Sequence, residues 1–163
     1  MITLLNQKFE LGLTTEQMQQ YARQLGSDCA FFIENTPVFA VGKGDEFLSQ
    51  ELNLEKYYIV LVKPDIHVST IDAYGGCIPE KPASSLQLLA NLPVPEWRNT
   101  IKNDFEKTVF KKYPSIQRIK EELYEAGAIY ASMSGSGSSV FGIFEKETAL
   151  PQLEKENKVF YNV

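Results

Sequence analysis

Ser132-Met133-Ser134-Gly135-Ser136-Gly137-Ser138-Ser139-Val140-Phe141-Gly142-Ile143 is the stretch on which the reading of the fold turns. An apolar run from Ala128 to Met133 enters it, and a second, Val140 to Phe144, leaves it. That is a strand–loop–strand pattern with little side-chain bulk at the bend. Glycine permits the positive φ values that a nest of backbone donors needs, so Ser134 to Ser138 can turn several N–H groups onto one anion. The same residues would also make a plain hairpin turn. The choice between the two depends on the rest of the chain.

Working outward toward the amino end, Pro114 opens an amphipathic helix with Ile116, Ile119, Leu123 and Ala126 inward, and Gly127 stands where a C-terminal glycine cap belongs. Asn103-Asp104-Phe105-Glu106 opens a shorter helix toward Phe110. Residues 78–99 hold Pro79, Pro82, Pro93 and Pro95, which predicts mostly loop, with a helix around Leu86 to Asn91. Tyr57 to Val62 reads as a strand broken by Lys63-Pro64-Asp65, and Ser69 or Thr70 caps a short helix through Tyr74. Pro37 to Val41 reads as a strand and Gly42-Lys43-Gly44-Asp45 as a tight turn. Thr14 with Gln17 forms a capping box for a helix whose face carries Met18, Tyr21, Ala22 and Leu25. Ile2, Leu5 and Phe9 show helical spacing from the first residue, with no cap before them. Beyond the glycine-rich stretch, Glu147 to Lys155 reads as a last helix and Val159 to Tyr161 as a final strand. Intermixed helices, hairpins and split βαβ-like connections make the fold class α+β.

The bulk properties narrow the function classes. The 163 residues suffice for one domain or two small ones. A net charge of −5 without a basic cluster argues against nucleic acid as partner. No run is long and apolar enough for a bilayer, and the first residues lack the marks of a signal peptide, so no membrane partner is expected. Cys29 and Cys77 are far apart and in unlike surroundings, which fits a reduced, cytoplasmic setting. A single histidine, His67, and no Cys-x-x-Cys pair leave no expected metal site on the protein.

Four segments in order resemble the GHMP small-molecule kinases. Leu25-Gly26-Ser27-Asp28-Cys29-Ala30-Phe31-Phe32 resembles the segment that carries the family's catalytic aspartate. Pro64-Asp65-Ile66-His67-Val68-Ser69-Thr70-Ile71-Asp72-Ala73-Tyr74 is similar to a substrate-side segment, in the branch that acts on a cytidine diphosphate-linked methylerythritol. Asn103-Asp104-Phe105-Glu106 recurs in that branch, and Ser132 to Phe141 looks like the family's third, glycine-rich motif. The resemblance implies that residues 1–45 are the end of an N-terminal, ribosomal-S5-like, ATP-binding domain carrying the aspartate. Residues 46–163 would be the C-terminal domain. A lysine and a glycine-rich phosphate loop that members carry upstream are not in this sequence, so the chain reads as the back portion of a kinase, expected to be inactive alone. Its first 45 residues would then lack natural cover, and either self-associate or stay mobile.

The resemblance also implies the chemistry. ATP with Mg²⁺ would be the phosphoryl donor and the small molecule the acceptor. Asp28 would orient the acceptor hydroxyl and take its proton; without the resemblance, it reads as a cap for the segment after Gly26. Ser134, Gly135, Ser136, Gly137 and Ser138 would supply N–H groups and hydroxyls near the transferred phosphoryl group. Thr70 and Tyr74 would stand by the cytidine end, a tyrosine ring stacking on the pyrimidine; the alternatives are an N-cap for Thr70 and half-buried packing for Tyr74. Asn103 and Asp104 read equally well as helix caps or ligand contacts. Two rival functions are a non-catalytic binding module derived from such a kinase, and a GHMP kinase with another alcohol substrate.

Overall fold

The computed structural model describes residues 1–78 and 84–163, so Pro79 and Pro82 of the expected loop lie outside the described residues. The chain forms two compact units, Met1–Leu52 and Asn53–Val163.

The first unit begins with α1 (Ile2–Lys8) and α2 (Thr15–Leu25). The capping box is present: Gln17 N–H donates to the Thr14 hydroxyl at 3.2 Å, and Thr14 N–H donates back to Gln17 Oε1 at 2.9 Å. Asn6 locks the α1–α2 turn, its amide donating to Leu13 O and accepting from Leu13 N. A 3₁₀ turn, Ser27–Ala30, leads into α3 (Phe31–Glu34). Then β1 (Val38–Val41) and β2 (Glu46–Ser49) form an antiparallel hairpin across Gly42–Asp45. The return of β2 onto β1 carries this unit to Leu52, past the 45/46 division expected from sequence. Its only fully buried apolar residues are Ala22 and Ala30. Tyr21 and Leu25, which share a face of α2 with the buried Ala22, are exposed, as are Leu4, Phe9 and Phe32.

The second unit is built on a four-stranded antiparallel sheet in the order β4-β5-β3-β6. Its strands are β3 (Tyr58–Pro64), β4 (Tyr130–Met133), β5 (Val140–Phe144) and β6 (Asn157–Tyr161). β3 runs on through Lys63 and Pro64 because Pro64 faces inward at the sheet's rim, opposite Asn157. Between β3 and β4 lie α4 (Thr70–Gly75), α5 (Leu86–Leu89), α6 (Val94–Thr100), α7 (Glu106–Lys112) and α8 (Pro114–Glu125). α8 packs on β4 and β5, α7 on α8, and α4 on α7. Val60 and Val62 from β3 meet Ile116, Ile119 and Leu123 from α8 in the core, with Met133, Val140 and Phe144. Each such side chain, fully buried, stabilises by about 1.5–3 kcal/mol relative to exposure.

Three expectations fail locally. Residues 94–100 are helical, because Pro95 stands in the first turn, where its missing N–H costs no bond. Glu147 to Lys155 forms only a 3₁₀ turn at Leu153–Lys155, with Pro151 just before it. Ala126 is the exposed C-cap of α8, and Gly127 beyond it adopts φ +99. Among the described residues no helix is long and apolar enough to cross a membrane.

Trp97, the sole tryptophan, is buried edge-on against Tyr130, so its fluorescence reports the second unit. Leu123→Ala should lower the denaturant stability read this way by about 2–5 kcal/mol. Burial pushes the Tyr130 phenol above its ordinary pKa. The folded state holds that proton more tightly than the unfolded one, so its contribution is complete below the unfolded pKa and is lost as pH rises. As pH rises above about 10 the Trp97 midpoint should fall, and Tyr130→Phe should flatten the fall. In hydrogen exchange, amides of residues 1–52 should exchange faster than those of 114–144, since so little of the first unit is buried. Equal protection would show that the first unit is stable by other means.

Candidate functional site

The glycine-rich loop starts where β4 ends. Ser134 N–H donates to Ser139 O at 2.8 Å, and Gly137 N–H donates to Ser134 O at 3.0 Å, closing the turn. Gly135 at φ +54 and Gly137 at φ +90 lie in the left-handed region, where glycine is at no disadvantage. A Cβ at Gly137 would also come within 2.8 Å of Met133 Sδ. The N–H groups of Gly135 and Ser136 have no acceptor among the described residues. Those two free donors are what the loop offers an anion.

Both arms of the loop are tied down. On the β4 side, Asn103 Nδ2 donates to Met133 O and to Gly135 O, each at 2.8 Å. The Glu106 carboxylate accepts from Met133 N–H at 2.9 Å and from the Ser132 hydroxyl at 3.2 Å. Its other oxygen pairs with Lys120 at 2.6 Å. On the β5 side, Ser138 is buried and its hydroxyl donates to Ile66 O at 2.6 Å. Lys63 Nζ donates to Ser138 Oγ at 3.3 Å and to Pro64 O at 2.8 Å. Ser138 therefore presents no free hydroxyl proton, whereas Ser134 is exposed and Ser136 half-exposed.

Thr70 and Tyr74 stand one helical turn apart on α4, so they share a face. Both are exposed, Tyr74 at 63%. Ser69, not Thr70, is the N-cap residue, and no side-chain cap bond is made there. The Tyr74 ring rests on Phe105, with centroids 4.8 Å apart, and leaves most of its surface open. α4 is fixed to α7 by the Asp72–Lys112 ion pair at 2.7 Å, whose bond holds the Lys112 ammonium above its usual pKa. Gly76 also lets the backbone approach Thr108, because a Cβ there would meet its methyl at 2.5 Å.

The loop and α4 thus share one support. Asn103 grips the loop, Phe105 backs Tyr74, and Phe105 N–H donates to Asn103 Oδ1 at 3.0 Å. Asn103 is therefore a cap and a clamp at once, while Asp104 is exposed. Sequence alone did not single out Glu106, Lys63 or Lys120. The Asn103-Asp104-Phe105-Glu106 segment was the one available clue.

Asp28 belongs to the first unit. It lies in the 3₁₀ turn, exposed, and its Oδ1 accepts from the Ser27 hydroxyl at 3.2 Å. It makes no helix-cap bond, so its carboxylate remains available. The hairpin turn runs beside it: a Cβ on Gly44 would lie 3.4 Å from Oδ1. A cavity of about 910 Å³ in the second unit lies elsewhere, between α8 (Arg118, Glu122) and the segment Leu150–Leu153. It includes none of the expected site residues.

Residues 85–162 match the family described as GHMP kinases, C terminal. The 4-diphosphocytidyl-2-C-methyl-D-erythritol kinase of Bacteroides fragilis is 53% identical over 156 residues, a span covering 96% of this chain and 57% of that protein. The kinase of the same name from Bacteroides thetaiotaomicron is 48% identical over 160 residues, covering 98% and 58%. Among solved structures, a 4-(cytidine 5'-diphospho)-2C-methyl-D-erythritol kinase has the same fold, with a TM-score of 0.78 at 20% identity over 98% of this chain and 60% of that one. A homoserine kinase from Cytophaga hutchinsonii follows at a TM-score of 0.59 and 16% identity, over 98% and 61%. The chain spans rather more than half the length of the curated relatives it matches. The likeness to these kinases covers the strand–loop–strand, its supports and α4 together, and residues 85–162 carry the C-terminal domain of the GHMP kinases.

Proposed function

We propose that this chain is part of an ATP-dependent kinase that phosphorylates the 2-hydroxyl of 4-diphosphocytidyl-2-C-methyl-D-erythritol, in the non-mevalonate route to isoprenoids, in the cytoplasm. The observation that carries this reading is 53% identity to a kinase of that name over nearly the whole chain, Asp28, α4 and the glycine-rich loop included. In this reading the first unit, expected from sequence to end at residue 45 and running to Leu52, is the end of the ATP-binding domain, and the second unit is the C-terminal domain.

Each group then has a task. The Asp28 carboxylate, uncommitted to any cap, orients the acceptor hydroxyl and takes its proton. The free N–H groups of Gly135 and Ser136 fit phosphate oxygens, and the exposed Ser134 hydroxyl adds a donor beside them. Gly137 and Ser138 shape the loop, the first through its backbone angle and the second through its bond to Ile66. The open face of Tyr74 is free to stack on cytosine, with the Thr70 hydroxyl one turn away for the base or ribose. ATP supplies the phosphoryl group when bound. Mg²⁺ would be held mainly by the ATP phosphates with one or two carboxylates, since the described residues hold no cluster of three or more carboxylate, histidine or cysteine side chains.

Two measurements test this. In a full-length kinase carrying these residues, assayed by ADP release with the diphosphocytidyl substrate, Asp28→Asn should lower kcat by about 10²-fold or more while substrate affinity is kept. An unchanged kcat would leave Asp28 a structural role only. By calorimetry, Tyr74→Ala should weaken cytidine-containing ligands by about 1–3 kcal/mol and spare ATP. Equal losses for both ligands would make Tyr74 a packing residue and leave the pyrimidine without its platform.

A further inference from the structure

We infer that Asn103 is a positioning residue for the glycine-rich loop: its amide holds the carbonyls of Met133 and Gly135, and through the second it sets the direction of the free Ser136 N–H. This rests on the reading of that loop as phosphate-facing.

The bonds of Asn103 are fully specified. Both N–H groups of Nδ2 are used, on Met133 O and Gly135 O, and Oδ1 accepts from Phe105 N–H. No polar capacity of the donor side is left for a ligand, so the side chain acts through the loop and not on the substrate. The two acceptors sit on either side of Ser134. Fixing the carbonyl of Gly135 fixes the plane of the Gly135–Ser136 peptide, and with it the direction of the Ser136 N–H, which points opposite to that carbonyl. The carbonyl of Met133 is held in the same way, while Glu106 holds the N–H of that residue. Gly135 at φ +54 and Gly137 at φ +90 are residues with wide conformational freedom, so an unbraced loop here would sample many peptide orientations. Preorganised donors bind an anion better than mobile ones, because no ordering cost falls on the binding step.

Two substitutions separate the clamp from the cap. Asn103→Asp keeps an oxygen for Phe105 N–H but loses both donors and sets a carboxylate against two carbonyl oxygens. Asn103→Ser is neutral, keeps a short capping oxygen and cannot reach the loop carbonyls. The chain is titrated with inorganic pyrophosphate and followed by amide NMR, with Trp97 fluorescence reporting the fold. In the wild type, Gly135 and Ser136 resonances should shift saturably. In both variants the Trp97 unfolding midpoint should stay close to wild type. The order parameters of residues 134–138 should fall from about 0.85 to below about 0.6. Pyrophosphate affinity should drop by about tenfold. Loop order parameters unchanged in both variants would overturn the inference, as would variants whose Trp97 transition is lost, which would assign Asn103 to the fold itself. Absence of pyrophosphate shifts in the wild type would instead defeat the phosphate reading of the loop, and the order parameters alone would still decide the clamp.

Discussion

The carboxylate of Glu106 takes a hydrogen bond from Met133 N–H at 2.9 Å and forms an ion pair with Lys120 at 2.6 Å, so one side chain joins α7, the end of β4 and α8. The pair is largely buried, its side chains 12% and 22% exposed. In such surroundings a charge pair adds little net stability over an apolar filling, but removing one partner leaves the other charge unmatched. Its value is therefore positional. β4 has no freedom to slide along its partner strand without drawing α7 with it, and the glycine-rich loop begins at the residue after Met133.

The packing around that point follows from local patterns. β4 and β5 are short apolar runs on either side of a bend, and they pair in the register Met133 opposite Val140. α8 keeps Ile116, Ile119 and Leu123 on one face because their spacing fits the helical period. The capping box at Thr14 and Gln17 could be read directly, since both partners lie within one turn. Where the reading of the sequence failed, proline was the usual cause. Pro93 and Pro95 suggest loop, yet a proline in a first turn is compatible with the helix that α6 makes. Pro151 stands inside the stretch expected as a last helix and leaves only a 3₁₀ turn after it. Leu25 and Tyr21 have helical spacing but lie exposed, since spacing says which residues share a face and not whether anything covers it.

The candidate site was legible in part for a related reason. The loop announces itself because its chemistry is local: glycines that allow the turn, and backbone donors that need no partner elsewhere. Its supports do not. Asn103 is 30 residues from Met133, Ile66 is 72 from Ser138, and Lys63 is 75 from Ser138. No periodicity or spacing connects such pairs, and Asn103 in a single sequence looks like any helix cap. Tyr74 likewise has its partner 31 residues on, since its ring meets Phe105 at a tilt while most of it stays exposed.

The two fastenings of the loop have a bearing on which lengths it can take. Asn103 holds the carbonyl of Gly135, and Ile66 holds the hydroxyl of Ser138, so only Ser136 and Gly137 lie between the anchored residues, and Gly137 N–H is itself bonded to Ser134 O. A span that short has no slack. Losing a residue from it would have to break one anchor, and the burial of Ser138 makes the Ile66 side the harder to release. An added residue meets no such obstacle, since Gly135 has open space around it and the extra chain would bulge outward. Across related chains this loop should therefore vary toward greater length and not toward less.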